Sequence, residues 1–287
     1  MAFFKKKEAP EEEKRKKPSE QLKEIRAKAE ETEVAQILDM PDFFDILTDG
    51  TALANYREAF LKANEEAKST EVDHAKMRLE GPADVIFCID RSGSMRGTPP
   101  EIMANYNKLM QRLSTKFEGL RISTLLYDNQ LEWICKRAPV EHVPPLSYDA
   151  SGGTAMYDAI IDSCAMIDEA YVSEGIMSNN VLFVVIDDDG NNAGRQTLDK
   201  AREELTAQID YGRKVLYLSY AGDAIRSGRS LGIPREWITQ YGKNSKCIEA
   251  IFDSIYDVII EWQKSGAIKE DWNKDIVKYL TGPTLRR

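Results

Sequence analysis

The residues best able to do chemistry sit in three short stretches. "CIDRSGSM", residues 88 to 95, ends a strand-like apolar run in three oxygen donors, Asp90, Ser92 and Ser94, wrapped round Gly93. "SGGTAMYDA" follows Gly152 and Gly153, which permit unusual backbone angles, with the hydroxyl of Thr154 at the start of a helical pattern. "VVIDDDGNN" ends a second apolar run in Asp187, Asp188 and Asp189. Carboxylates and hydroxyls are hard ligands. Mg²⁺, which takes about six oxygens at roughly 2.0 Å and seldom receives a full protein cage, suits such a set, with Mn²⁺ or Ca²⁺ as alternatives. Two serines, a threonine and one or two acids leave a coordination position open, and an open position on a hard cation attracts an outside carboxylate. Each loop alone has a plainer meaning, because Asp and Ser cap helices and form turns, and an acidic triplet before glycine is a solvated turn. Order and spacing separate the two readings: each group follows a strand or opens a helix.

Other chemistries lack their parts. His74 and His142 are the two histidines, far apart and unaccompanied by cysteine, so zinc lacks ligands. A nucleophilic hydrolase needs a base beside its serine, and neither histidine is well placed. Neither GxxxxGK[ST] nor GxGxxG follows a strand. Cys88, Cys135, Cys164 and Cys247 form no CxxC pair and read as free thiols.

The elements that must position the three loops are legible from Gly81 onward. Short β-rich runs alternate with amphipathic stretches, the mark of βαβ units and a largely parallel sheet. Strands are predicted over Ala83 to Asp90, Leu120 to Tyr127, Leu131 to Lys136, Val181 to Asp187, Lys214 to Ser219 and Trp237 to Tyr241. "YDNQLEW" joins the second and third too tightly for a parallel crossover, so that pair is antiparallel. Thr98, Pro99 and Glu101 predict an N-cap, a first-turn proline and a capping-box acid. Helical stripes follow at Ile102, Tyr106, Leu109, Leu113 and Phe117, at Met156 to Tyr171, at Leu198 to Ile209, and most strongly at Ile248 to Trp262. Ile268, Trp272, Ile276 and Leu280 predict one more short helix, on the surface or against a partner. In a parallel sheet the loops leaving the strand C-termini share one rim, where ligands bind.

Residues 1–17 mix Lys and Arg with Glu and read as a disordered arm. Residues 18–80 read as a helical extension, residues 81–264 as the α/β domain, and 265–287 as a short helix and tail. The net charge of −9 and pI near 5.1 provide no overall basic field for nucleic acid. With no apolar run of membrane-spanning length and no signal-like apolar core near the start, the expectation is a cytoplasmic protein.

"DVIFCIDRSGSM", "SGGTAMYDAI" and "VLFVVIDDDGNN" together resemble the three metal-ion-dependent adhesion site segments of von Willebrand factor A domains. The resemblance covers roughly Gly81 to Lys264 and is similar in detail to the stand-alone cytoplasmic members of bacteria and their phages. It implies a Rossmann-like α/β/α fold, with a six-stranded, mostly parallel sheet carrying one antiparallel edge strand. It also implies Asp90, Ser92, Ser94 and Thr154 at the metal, with an acid of the third loop acting directly or through water. Reading without a gap assigns that acid to Asp188, whereas matching the Asp-Gly pair assigns it to Asp189; the ungapped reading is preferred. Asp187 then ends its strand as a spare acid, and Asp158 serves the helix dipole. The implied function is binding rather than catalysis, with a partner's Glu or Asp completing the coordination, beside an ATPase-containing or stress-response assembly. The rival readings are a Mg²⁺-dependent phosphatase of the haloacid-dehalogenase type, which needs an acid where Ser92 stands, and a particle component whose loops only brace the fold.

Overall fold

The computed structural model describes residues 82–176, 178–188 and 190–280. The predicted arm, the helical extension and the last residues of the tail lie outside them, as does Asp189. β1 (Ala83–Asp90) and β4 (Val181–Asp187) are nearly continuous apolar runs because helices cover both faces of the sheet. With β2 (Leu120–Tyr127), β3 (Leu131–Pro139), β5 (Lys214–Ser219) and β6 (Ile238–Gln240) they form a six-stranded sheet in the order β3-β2-β1-β4-β5-β6. Every pairing is parallel except β2 with β3. The predicted mixed sheet with one antiparallel edge is therefore present.

Side-chain alternation divides the core. Val85, Phe87 and Ile89 face a cluster built on α1 (Pro99–Ser114) and, further along the chain, α5 (Ser245–Ser265). Ile86 and Cys88 face the opposite cluster, on α2 (Met156–Glu174) and α3 (Leu198–Asp210). A short α4 (Ala224–Ser230), which the sequence pattern does not announce, precedes β6. α6 (Lys274–Lys278) packs on this same domain, with Trp272 and Ile276 buried in the α5 cluster. All four cysteines are free thiols.

Two local readings change. The predicted capping box at Thr98 does not form. Pro99 and Pro100 carry no N–H to cap, and Thr98 instead donates its hydroxyl to the Met95 carbonyl at 2.6 Å. β3 runs past Lys136 to Pro139 through register shifts against β2, with Arg137 at φ 48°. The Arg137 N–H is met by the Ser123 hydroxyl at 2.8 Å, which satisfies the backbone where the ladder breaks.

β1 lies where the strand order reverses, between β2 and β4. Its register pairs Ile89 with Ile186, so one step further sets Asp90 beside Asp187, at the crevice where sheets of this kind take ligands.

Candidate functional site

Asp90, the last residue of β1, is fully buried. Its Oδ1 accepts from the Ser92 N–H at 2.6 Å, which folds the loop back over the strand end. Its Oδ2 is buried without a hydrogen-bond partner. The Ser92 and Ser94 hydroxyls are 2.8 Å apart, and Ser94 Oγ donates to Asp188 Oδ1 at 2.9 Å. The first and third loops thus meet through one serine. Burial, reinforced by the charges of Asp187 and Asp188, pushes the Asp90 carboxyl up to about 8.

The second loop is tied to the first by backbone: Gly93 N–H donates to Gly152 O at 3.0 Å and Ser151 N–H to Arg91 O at 2.9 Å. Thr154 is fully buried, with its N–H donating to Asn192 Oδ1 at 2.8 Å and its carbonyl accepting from Asn192 and Ala193. Gly153 is required by crowding. A Cβ there would sit 2.8 Å from both Asn129 Oδ1 and Asn192 Oδ1. The tight β2–β3 turn therefore contributes a fourth loop, through Asn129, whose Oδ1 accepts from Gly153 N–H at 2.8 Å.

The acidic triplet divides by environment. Asp187 ends β4 fully buried, accepting from Tyr217 at 3.1 Å, from Tyr127 at 3.3 Å and from Gly190 N–H at 3.0 Å. Burial pushes it up to about 7, against the pull of the Tyr217 hydrogen bond. It is a supporting acid turned into the protein. Asp188, 1% exposed, is the one that reaches Ser94. Asp189 lies outside the described residues. Asp158, in the first turn of α2, accepts from the N–H groups of Arg195 at 2.9 Å and Gln196 at 3.3 Å, so it fastens the third loop to the helix. Sequence reasoning assigned it only to the helix dipole.

Lys243 was missed altogether. Its Nζ lies 2.8 Å from Asp188 Oδ2 and 2.8 Å from the Ser94 carbonyl. It stands between β6 and α5, where Asn244 caps the helix by accepting from Cys247 N–H at 3.0 Å. The signal available was its position after a strand on the same rim. Among the described residues no three His, Cys, Asp or Glu side chains gather as a ligand set, so the donors here are mixed carboxylate and hydroxyl oxygens. That mixture, with the orphaned Asp90 oxygen, fits a hard divalent cation and disfavours a soft one.

Sequence comparison finds no matching family profile and no matching curated protein. Solved structures with a similar chain fold include the pilus adhesin SpaC of Lactobacillus rhamnosus GG, at 12% identity and a TM-score of 0.50 over 62% of this chain and 30% of that one. A von Willebrand factor type A structure from Catenulispora acidiphila aligns at 14% identity and a TM-score of 0.43, over 62% of this chain and 42% of that one. Proximal thread matrix protein 1 of the mussel byssus, solved with a zinc-occupied MIDAS motif, aligns at 12% identity and 0.47, over 61% and 47%. The chain spans about a third to a half of the length of these proteins. At such identities the likeness is one of fold, and it agrees with the strand order and single antiparallel edge: the described residues carry a domain of the von Willebrand factor A fold.

Proposed function

We propose that this domain is a metal-dependent protein-binding module that engages a carboxylate of its partner through Mg²⁺. Asp90, Ser92, Ser94, Thr154 and Asp188 would hold the ion, with Asp189 as the alternative acid of the third loop; Mn²⁺ or Ca²⁺ could replace it. The observation that carries the reading is the buried, unpartnered Oδ2 of Asp90 beside the linked Ser92, Ser94 and Asp188 side chains. When bound, the ion supplies a hard positive charge with a coordination position for an incoming acid. The chain does the rest. Gly93, Gly152 and Asn192 hold the loops in register, Asp187 braces the floor through two tyrosines, and the hydroxyl ligands leave part of the ion's charge uncompensated.

Ser92 supports the binding reading against phosphatase chemistry. A phosphatase of the haloacid-dehalogenase type requires its second acid two residues after the first, and here that position is a hydroxyl bonded to Ser94. The proposed setting is an intracellular bacterial or phage assembly, on the strength of the sequence resemblance, with an ATPase-containing or stress-response complex as the partner's context. No helix among the described residues is long and apolar enough to cross a membrane.

The test is recovery of one partner from lysate by wild type, Asp90→Ala and Thr154→Ala, each with Mg²⁺ or EDTA. Recovery by wild type with Mg²⁺, lost in the other lanes, is expected. Equal recovery of that partner in all lanes would overturn the mechanism.

A further inference from the structure

We propose that Lys243 is a tethered cation that competes with the divalent ion for Asp188, an inference that rests on the metal site proposed above. Both oxygens of Asp188 are engaged: Oδ1 by the Ser94 hydroxyl at 2.9 Å and Oδ2 by the Lys243 ammonium at 2.8 Å. The same ammonium donates to the Ser94 carbonyl at 2.8 Å, so it spans the first and third loops as a bound cation would. Asp188 is buried, whereas the Lys243 side chain keeps 24% of its surface in water. A lysine on a flexible stem can therefore leave without exposing a core, and leaving costs it less than it would cost a rigid guanidinium. The Tyr220 ring, 44% exposed, flanks the same ammonium at 4.5 Å from its centroid, on the solvent side of the pair.

The consequence is a charge exchange. A divalent ion approaching Asp188 must displace or repel a unit positive charge fixed beside it, so metal affinity is set below what the oxygen ligands alone would provide. The displaced ammonium then lies at the rim next to the incoming partner carboxylate. Metal, lysine and partner are thereby linked: the partner's acid gives Lys243 a new anion when the ion takes Asp188.

Mg²⁺ titration calorimetry and thermal melting of the full chain test this, using wild type, Lys243→Met, Lys243→Gln and Thr154→Ala. Lys243→Met is expected to bind Mg²⁺ about tenfold more tightly than wild type, equivalent to about 1.4 kcal/mol. It should also melt lower than wild type in EDTA, where Asp188 loses its counter-charge, but not in saturating Mg²⁺. Lys243→Gln, which keeps a donor and the stem, should shift affinity the same way and serves if the methionine variant does not fold. Equal or weaker Mg²⁺ binding by the lysine variants, with wild type and not Thr154→Ala binding the ion, overturns the competition and leaves the metal site standing. Absence of Mg²⁺ and Mn²⁺ binding in wild type and both lysine variants overturns both.

Discussion

At the scale of single residues, the proposed cup is closely packed where its loops meet. Gly153 illustrates this better than the proposed ligands, since its φ lies outside the left-handed region and only crowding excludes a side chain. An alanine there would press its Cβ against Asn129 and Asn192, the two amides that hold the second loop to its neighbours at 2.8 Å each. Gly153→Ala should destabilise the fold by about 1–3 kcal/mol, the usual cost of overpacking. It should weaken Mg²⁺ binding by more than its small size suggests, because the displaced loop carries Thr154. Denaturant unfolding and metal titration on the same variant check both expectations, and unchanged affinity would show that the loop tolerates what its neighbours do not. Asp90, Ser92, Ser94 and Thr154 could be proposed from the sequence because hydroxyls and an acid at the ends of apolar runs are recognisable without coordinates. Lys243 and Asn129 were not. A lysine before a helix and an asparagine in a hairpin turn have no local pattern, and their roles come from partners 55 and 24 residues away, brought near by sheet register.

At the scale of elements, periodicity located the strands and most helices, and failed where local rules compete. The cap at Thr98 satisfied a sequence pattern, but Pro100 removes one of the two N–H groups it could cap, and the hydroxyl is turned to the Met95 carbonyl instead of the Glu101 N–H. β3 outran its expected end because a positive-φ residue let the ladder resume after a bulge. α4 is too short and too polar to show a stripe, "AIRSGRS" offering a single large apolar residue. The final helix was legible as a helix but not as to what it packs against, because a four-residue apolar repeat is silent about its partner. The structure makes that partner α5. Trp272 donates its indole N–H to the Glu236 carbonyl at 2.7 Å, Ile276 is fully buried, and the Ile276 carbonyl accepts from the Cys247 thiol at 3.5 Å. Since Asn244, the α5 cap, follows Lys243, this small helix also steadies the segment that carries the lysine: Asn244 donates its Nδ2 to the Tyr279 carbonyl at 3.0 Å. Ile276→Ala should cost about 2–5 kcal/mol, the range for emptying a buried aliphatic site. A loss below 1 kcal/mol in equilibrium unfolding would mean the helix is an ornament on the domain rather than part of its core.

At the scale of the whole molecule, the sheet keeps two polar centres at opposite ends of β1. One end carries Asp90 and the cup; the other carries Asp84, fully buried, paired with Arg137 Nε at 3.0 Å and accepting from the Tyr171 hydroxyl at 2.8 Å. Burial holds the Asp84 carboxyl above its ordinary value even against the hydrogen bonds and charge of Arg137. An acid raised in this way binds its proton more tightly folded than unfolded. Its ionisation therefore erodes stability as pH rises from the ordinary carboxylate value through the raised one. The same cluster holds Arg137 above and Glu174 below their ordinary values, each through its ion pair, so burial cost and charge pairing oppose one another where Arg137 joins the bulge of β3 to the C-terminal end of α2. This separates two mutational outcomes. Asp84→Ala alone leaves the Arg137 guanidinium, 8% exposed, with half its compensation, and should cost about 3 kcal/mol; the double change Asp84→Ala with Arg137→Met should recover a large part of that loss. Neither change should alter Mg²⁺ affinity of the folded protein by more than about twofold, because the strand between the two ends is rigid and the sites share no partner. Urea denaturation of the four proteins of this cycle, paired with metal titration, decides it. A double variant no more stable than Asp84→Ala would show the ion pair to be stabilising in its own right, and a large change in metal affinity would show that the two ends of β1 are coupled.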